Sequence, residues 1–502
     1  MRRIPVMALA PVLAFVALVS WAFASPIGAG PDDDYHLVSS WCAGPTASET
    51  CASAPDEGDG VHLVPRALVD ISCFARDATE SAACQDELFS DDLLDSVVAT
   101  DRGNFTREYP PVYHAVTGLF TSLDIQASAL AMRIFTIVLF VSMMTALYLL
   151  LPVARRSTLL IGWVITTIPL GVFILASNNP SAWAVIGVGT AWIALLGYFE
   201  TTGRRRIALG ALYALAVVMA AGSRGDAAVY VGFATALVLV FTFRRQKSYF
   251  IQAILPAVMG LVALAFLLAS RQAGSVQGMT DMAPMSGGRG SGDLQPMNGF
   301  AQLAYNLLNV PLLWLGAFGE WGLGWLDTAM PAVVIVCAVA AFALAGFLGI
   351  GQLNPRKSII VAATVLVLTI LPVYVLQQGG HIVGEQVQPR YLLPLIVMLG
   401  GLLALGAPVI AWTRAQLLIV ASVLSVAHAV ALHMNIRRYL TGAGVGGLDL
   451  DASPEWWWDI PVGPMAIWAT GAIAYTGLLV LLALRMPRLA LDRVADYERQ
   501  LA

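Results

Sequence analysis

The chain has 502 residues, of which 58% are hydrophobic and 12% charged, with a mean hydropathy of +0.74. No soluble domain needs so much apolar surface, and the net charge of −4 gives no basic footprint for nucleic acid, so a polytopic membrane protein is expected. The charge is unevenly placed: 18 of the 32 acidic residues lie between Pro26 and Gln126 against four arginines, which leaves the remainder basic.

About 20 consecutive apolar residues suffice to cross a bilayer. Twelve such runs are predicted as transmembrane helices, at 6–26, 127–152, 158–177, 181–200, 207–222, 227–243, 250–270, 329–351, 358–377, 391–412, 415–434 and 464–485. The first is read as a retained helix over 1–26 and not as a cleaved signal peptide, because it is long and Ala24-Ser25-Pro26 makes a poor cleavage site. Residues 27–126 then form a loop of about 100 residues that opens with "PDDDYH". It holds Cys42, Cys51, Cys73 and Cys84, whereas Cys337 stands alone in an apolar run. An even set in one polar segment implies disulfides in an oxidising compartment, with three pairings open. Later in this loop, "CQDELFSDDLLDSVVATD" has apolar residues at helical spacing and predicts an amphipathic helix, and Pro110-Pro111 ends any helix before the second span.

Spans two to seven occupy 127–270. In the segment 271–328, the Gly/Ser/Met-rich part near 271–308 has too little apolar content to pack and is predicted to be mobile. "WLGAFGEWGLGWLDTAMP" is apolar but broken by glycines, which predicts an interfacial or re-entrant segment. Spans eight to twelve fill 329–485, and 486–502 is a tail. No internal repeat is visible. Short cytoplasmic loops concentrate Arg and Lys. Arg2/Arg3, Arg155/Arg156, Arg204–Arg206, Arg244/Arg245/Lys247, Arg356/Lys357, Arg414 and Arg485/Arg488 all map to one side. Both termini are therefore expected to be cytoplasmic, with the cysteine loop outside.

On that outer side lie the groups suited to chemistry. Carboxylates at a membrane surface serve a site or face water, and Asp32, Asp33 and Asp34 also suit the start of a helix at Tyr35. All six histidines, His36, His62, His114, His381, His428 and His433, map to the outer face or the outer third of a span, without the tight spacing of a metal site. Arg224 and Asp226 in "GSRGDA", and Glu385, Arg390 and Tyr391 in "GEQVQPRYLLP", fall on the same face, as do Glu320 and Asp327. A guanidinium grips phosphate with two hydrogen bonds and keeps its charge when partly dehydrated, although an arginine there also snorkels to headgroups. Trp456-Trp457-Trp458 suits either sugar stacking or an interfacial aromatic belt.

Four elements together carry a family resemblance. "PDDDYH" matches a PDExxH-like element after the first span, and "YPPVYH" a PPxYY-like element before the second. "GEWGLGWLDTAMP" and "VQPRYLLPL" match GxxGWLDTxxP and VQxRYxxPL elements. The chain thus resembles the bacterial membrane-protein family catalogued as domain of unknown function 2142, which is similar to the C-type (GT-C) glycosyltransferases. The resemblance implies an all-α, GT-C-like enzyme of the bacterial plasma membrane. It would transfer a sugar from a polyprenyl-phosphate donor to a cell-envelope glycan or glycolipid acceptor. Asp32 and Asp33 become the acidic pair and His36 the motif histidine. Asp33 stands for the usual glutamate, and His114 for the second aromatic of the proline motif. Arg224, Asp226, Glu320, Asp327, His381, Glu385, Arg390, Tyr391 and His114 are the expected substrate-binding set. No cofactor is required; a divalent cation, Mg or Mn, at Asp32/Asp33 is the one candidate. A twelve-helix transporter or lipid-linked-sugar flippase is the alternative class.

Overall fold

The computed structural model describes residues 6–89, 96–271, 298–406, 413–452 and 454–501. It is a helical bundle bearing a compact cap. Helix α1 (Leu9–Phe23) leads into the cap, which begins with α2 (Asp33–Cys42) and α3 (Ala47–Thr50). Strands β1 (Ala52–Ser53), β2 (His62–Pro65) and β3 (Val97–Thr100) form an antiparallel sheet in the order β1-β2-β3, with α4 (Arg66–Val69) following β2. The cap closes with α5 (Val112–Thr117). The amphipathic helix expected over 84–101 does not form: Val98 pairs with Val64 in the sheet, and 90–95 lie outside the described residues. Branched Val97 and Val98 suit a pleated edge better than a helix.

Of the three pairings open to the cap cysteines, the fold adopts Cys42–Cys51 and Cys73–Cys84, two local loops. Between them, Gln85 donates to the carbonyls of Ile27 and Ile71, both at 2.6 Å, and so ties the second loop to the start of the cap. Gly28 lies beneath it at φ +85°, where a Cβ would stand 2.5 Å from the Ile71 oxygen. With a separation of 11 residues, the Cys73–Cys84 link restricts the unfolded chain by about 3 kcal/mol. Replacing both cysteines by serine is therefore expected to lower the melting temperature of the purified protein by several degrees, as read by differential scanning fluorimetry.

The bundle follows. Helix α6 (Ile125–Leu150) is a full span, but the third predicted span breaks into α7 (Val153–Val164) and α8 (Leu170–Leu175). Pro169 has no N–H to continue a helix. Thr166 and Thr167 cover freed carbonyls, donating to Gly162 at 2.7 Å and Trp163 at 3.0 Å. Helix α9 (Pro180–Glu200) is sheathed by α10 (Gly203–Ser223) and α11 (Gly225–Thr242) and is buried along nearly its whole length. Then come α12 (Lys247–Gln252), α13 (Ile254–Ala269), α14 (Gly299–Ala317), α15 (Ala332–Ile350), α16 (Pro355–Gly379), α17 (Pro389–Ala404), α18 (Arg414–Thr441) and α19 (Pro464–Leu501).

Among the described residues, nine helices are long and apolar enough to cross a membrane, and α1 and α17 are shorter apolar helices of 15 and 16 residues. Leu261, Leu264 and Leu268 of α13 stay exposed, as expected of a surface whose solvent is lipid. Of the segment expected to be mobile, 272–297 lie outside the described residues, and from Gly299 the chain is the helix α14. Its apolar run "LLNVPLLWLGA" packs on α16 and α17, burial that the polar residues around it concealed in the sequence.

Candidate functional site

The turn Gly28–Pro31 brings the chain from α1 to the N-terminus of α2, where three carboxylates meet the positive end of the helix dipole. Asp32 is the residue before the helix and adopts φ 60°, a left-handed conformation that Asp tolerates better than most side chains. Successive residues project in different directions, so the three acids find different cations. Asp32 receives Arg390 Nη2 on Oδ2 at 2.5 Å and Arg102 Nη2 on Oδ1 at 3.3 Å. Asp34 is gripped by Arg102 with two hydrogen bonds, one of 2.9 Å. Asp33 turns into the protein, fully buried, where it accepts from the Gly30 N–H at 3.1 Å and faces Arg133 at 3.9 Å. The expected acidic pair is thus divided between two environments, and Asp32 and Asp33 do not present one face to a divalent cation. Among the described residues no group of three or more His, Cys, Asp or Glu is arranged to hold a metal.

Arg390 stands in the first turn of α17, set there by Pro389, which favours a helix start. It is buried, bonds Asp32 and the Tyr391 hydroxyl through Nη2, and among the described residues leaves Nε and Nη1 without a hydrogen-bond partner. Arg224 enters from the extended link between α10 and α11, where its fork is held by Asp226 through two bonds of 2.9 Å. Both guanidiniums lie on the Tyr391 ring, Arg224 at 4.6 Å and Arg390 at 5.1 Å from its centre, and Arg224 also approaches Tyr109 at 5.8 Å. The break in the third span completes this wall, since Asn179, capping α9, donates to the Pro31 carbonyl at 2.6 Å. Residues from the cap, α10, α11 and α17 thereby surround Asp32.

Next to Asp32, His36 of α2 and His114 of α5 stack with Nδ1 and Nε2 3.3 Å apart, and Tyr109 packs edge-on against both. The Asn104 amide is oriented by the Tyr109 N–H at 2.8 Å, which places its NH₂ 3.5 Å from His114 Nδ1. His114 Nδ1 is then the acceptor, Nε2–H donates to His36 Nδ1, and His36 carries its own proton on Nε2. His36 is a donor in this arrangement. The glycosylation-type sequon Asn104-Phe105-Thr106 has a structural use here, since its Asn holds Tyr109 in place.

The electrostatics follow the burial. Burial alone raises Asp32, but the charges of Arg390 and Arg102 hold it below the ordinary carboxylate range. For Asp33 burial outweighs Arg133, and the group is raised to about 7. Burial, aided by His114 and the nearby arginines, pushes His36 well below its usual value, and burial lowers His114 to about 3. Unfolded imidazoles bind protons near 6.5, so the histidine pair contributes stability that is intact above pH 6.5 and is lost as the pH falls below it. Asp33 has the opposite slope, since its folded value is raised. His114→Gln is accordingly expected to lose less stability than wild type between pH 6.5 and 5, by up to about 1.4 kcal/mol per pH unit. Chemical denaturation of the two proteins at the two pH values checks this.

The other expected substrate residues have partners other than Asp32. Asp327 pairs with Arg438 of α18 at 2.8 Å, and that arginine also donates to the carbonyls of Phe74, Asp77 and Glu80. This clamp ties the "WLDT" turn to the cap, with Gly324 at φ +60° against the Tyr439 hydroxyl and Trp325 donating to the Gly28 carbonyl at 2.8 Å. His381 and Glu385 pair with each other at 3.2 Å in the turn before α17. Glu320 lies in the turn after α14, where its N–H donates to the Leu315 carbonyl. The tryptophan cluster is packed into the bundle, with Trp458 donating to the Phe23 carbonyl. Arg102, Tyr109 and Arg133 went unpredicted. Arg133, a lone charge in "ALAMRIFTIVL", carries a sequence signal, because a charge within a span demands a partner.

The family model described as predicted membrane protein (DUF2142) matches residues 15–399. The chain belongs to this family. No curated protein matches it. The DUF2142 match contains Asp32, His36, His114, Arg224 and Arg390 together with the whole cap, so the assembly around Asp32 lies within the matched segment. Helices α18 and α19, with Arg438 and the tryptophan cluster, follow the DUF2142 segment.

Proposed function

We propose that this protein is a GT-C-like membrane glycosyltransferase that moves a sugar from a polyprenyl-phosphate donor to a hydroxyl of a cell-envelope acceptor at the outer face of a bacterial plasma membrane. In this reading there are twelve spans: the nine long helices, the shorter α1 and α17, and the broken pair α7/α8. Both termini are cytoplasmic and the disulfide-bonded cap is outside.

The observation that supports it is Arg390, a buried arginine that spends one nitrogen on Asp32 and, among the described residues, keeps two without partners. Leaving buried charged donors unmade costs several kcal/mol, so the arrangement suits an anion that arrives as a ligand. A lipid phosphate beside Arg390, with Arg224 close by, gains charge-assisted bonds as negative charge collects on it during departure.

Asp32 receives the acceptor proton. As the acceptor oxygen bonds to the sugar's anomeric carbon, the bond from that carbon to the phosphate oxygen breaks, and the electron pair leaves with the polyprenyl phosphate. In the resting site the two arginines keep Asp32 ionised but weakly basic. A phosphate that shares Arg390 offsets one of those charges and raises the proton affinity of Asp32 when the donor is in place.

The test is binding of a short-chain polyprenyl phosphate to purified protein. Arg390→Gln is expected to weaken it by at least tenfold at unchanged melting temperature, and equal affinity would remove the phosphate assignment. Movement of a lipid-linked sugar across vesicles lacking any acceptor would favour a transporter or flippase instead.

A further inference from the structure

A cavity of about 390 Å³, with none of the Asp32 site in its lining, lies between α1, α6, α7, α8, α18 and α19. Ala8 and Leu149 at one end are exposed, whereas Trp21, Leu175 and His428 at the other are buried, so it is a blind groove. Its walls are almost wholly apolar, and the hydroxyl of Thr167 is already bonded to Trp163. The blind end is different. Trp21 Nε1–H donates to His428 Nε2 at 2.9 Å, which makes Nε2 the acceptor and leaves the proton of a neutral imidazole on Nδ1. His428 Nδ1 and the hydroxyl of Tyr475, whose ring stacks on His428 at 4.1 Å and 5°, are both buried and without a partner among the described residues.

We propose that this groove binds a quinone carried on a hydrocarbon tail, with a ring carbonyl accepting from His428 Nδ1–H and the Tyr475 hydroxyl. Two unpartnered donors on stacked rings, in a lining that holds no charged side chain among the described residues, call for an uncharged acceptor oxygen. The indole of Trp21 and the stacked His428–Tyr475 pair offer flat walls to a planar ring. His428 sits midway along the 28-residue α18, near the middle of the bilayer in the proposed topology, a depth at which an ester carbonyl tethered to a headgroup does not rest. At roughly 30 Å³ per water-sized group the groove has room for about a dozen heavy atoms, a ring and the first part of a tail.

The experiment uses the full-length protein in detergent and three probes: a benzoquinone with a ten-carbon tail, decylbenzene, which has the same shape without oxygen, and a short-chain diacylglycerol. Equilibrium dialysis is expected to show saturable binding of the quinone at least tenfold tighter than of decylbenzene. Tyr475→Phe keeps the stack and is expected to weaken the quinone alone by about tenfold. Ala14→Trp, which fills the groove, is expected to abolish binding, with the melting temperature reporting that both variants fold. Equal binding of quinone and decylbenzene, tighter binding of the diacylglycerol, or indifference to Tyr475→Phe in a folded protein would each overturn the proposal. Because the polyprenyl phosphate test reads Arg390, neither result depends on the other.

Discussion

If the proposed glycosyl transfer is right, Asp32→Asn is expected to leave the protein folded and membrane-bound while lowering that transfer by about 10²–10⁴, the usual worth of a positioned general base. The backbone is not the reason for the loss, because Asn accepts the left-handed conformation at φ 60° as readily as Asp. An Asn oxygen still accepts from Arg390, so the buried guanidinium keeps a partner. What disappears is the capacity to take a proton. Asp34→Asn is the matched control: it removes the outer partner of Arg102, which is 41% exposed, and leaves the bond to Arg390 untouched. Transfer to acceptor from a polyprenyl-phosphate sugar, measured per folded molecule, should fall only for the first variant. Full activity in Asp32→Asn would remove this carboxylate from the chemistry.

Arg133→Met is expected to have the largest effect on stability, about 3–5 kcal/mol, because it breaks a buried pair by removing one partner. Arg133 is 1% exposed and donates to the carbonyls of Ala22 at 2.9 Å, Ser25 at 2.7 Å and Pro26 at 2.8 Å, besides facing Asp33. It therefore covers one C-terminal carbonyl of α1 and two in the link that follows, and it supplies the positive charge beneath the "PDDDYH" turn. Methionine fills similar volume but leaves those oxygens without the guanidinium and the Asp33 carboxylate without its counter-charge, with only backbone N–H to accept from. The yield of detergent-extracted protein and its melting temperature should both fall. Adding Asp33→Asn should recover part of the loss, since no charge is then left alone in the interior. Failure of the second change to recover anything would mean that the carbonyl bonds carry the whole effect. Asp33→Asn alone is expected to alter stability and not the proposed transfer by the folded protein.

The two variants separate residues that are adjacent in sequence and alike in chemistry. "DDD" announces an acidic site at a membrane boundary, but nothing in the string says which carboxylate faces the arginine of α17 and which the arginine of α6. That choice follows from where α2 starts and how it is rotated against the bundle. Arg102, which bridges Asp32 and Asp34, reaches them from beyond a strand that the apolar spacing of 84–101 presents as helix. Pairing with β2 is a contact across more than 30 residues and leaves no local trace.

Sequence alone determined the membrane class, the family and the setting of the disulfides, because hydropathy, short motifs and a cluster of cysteines are sums over neighbouring residues. Partners were decided only by the tertiary structure: Cys42 with Cys51 and not Cys84, Asp32 with Arg390, Asp33 with Arg133, and Asp327 with a clamp on the cap. The reason is physical. A buried charge must be matched wherever the packing of helices happens to place it, and that packing is settled by contacts between segments hundreds of residues apart.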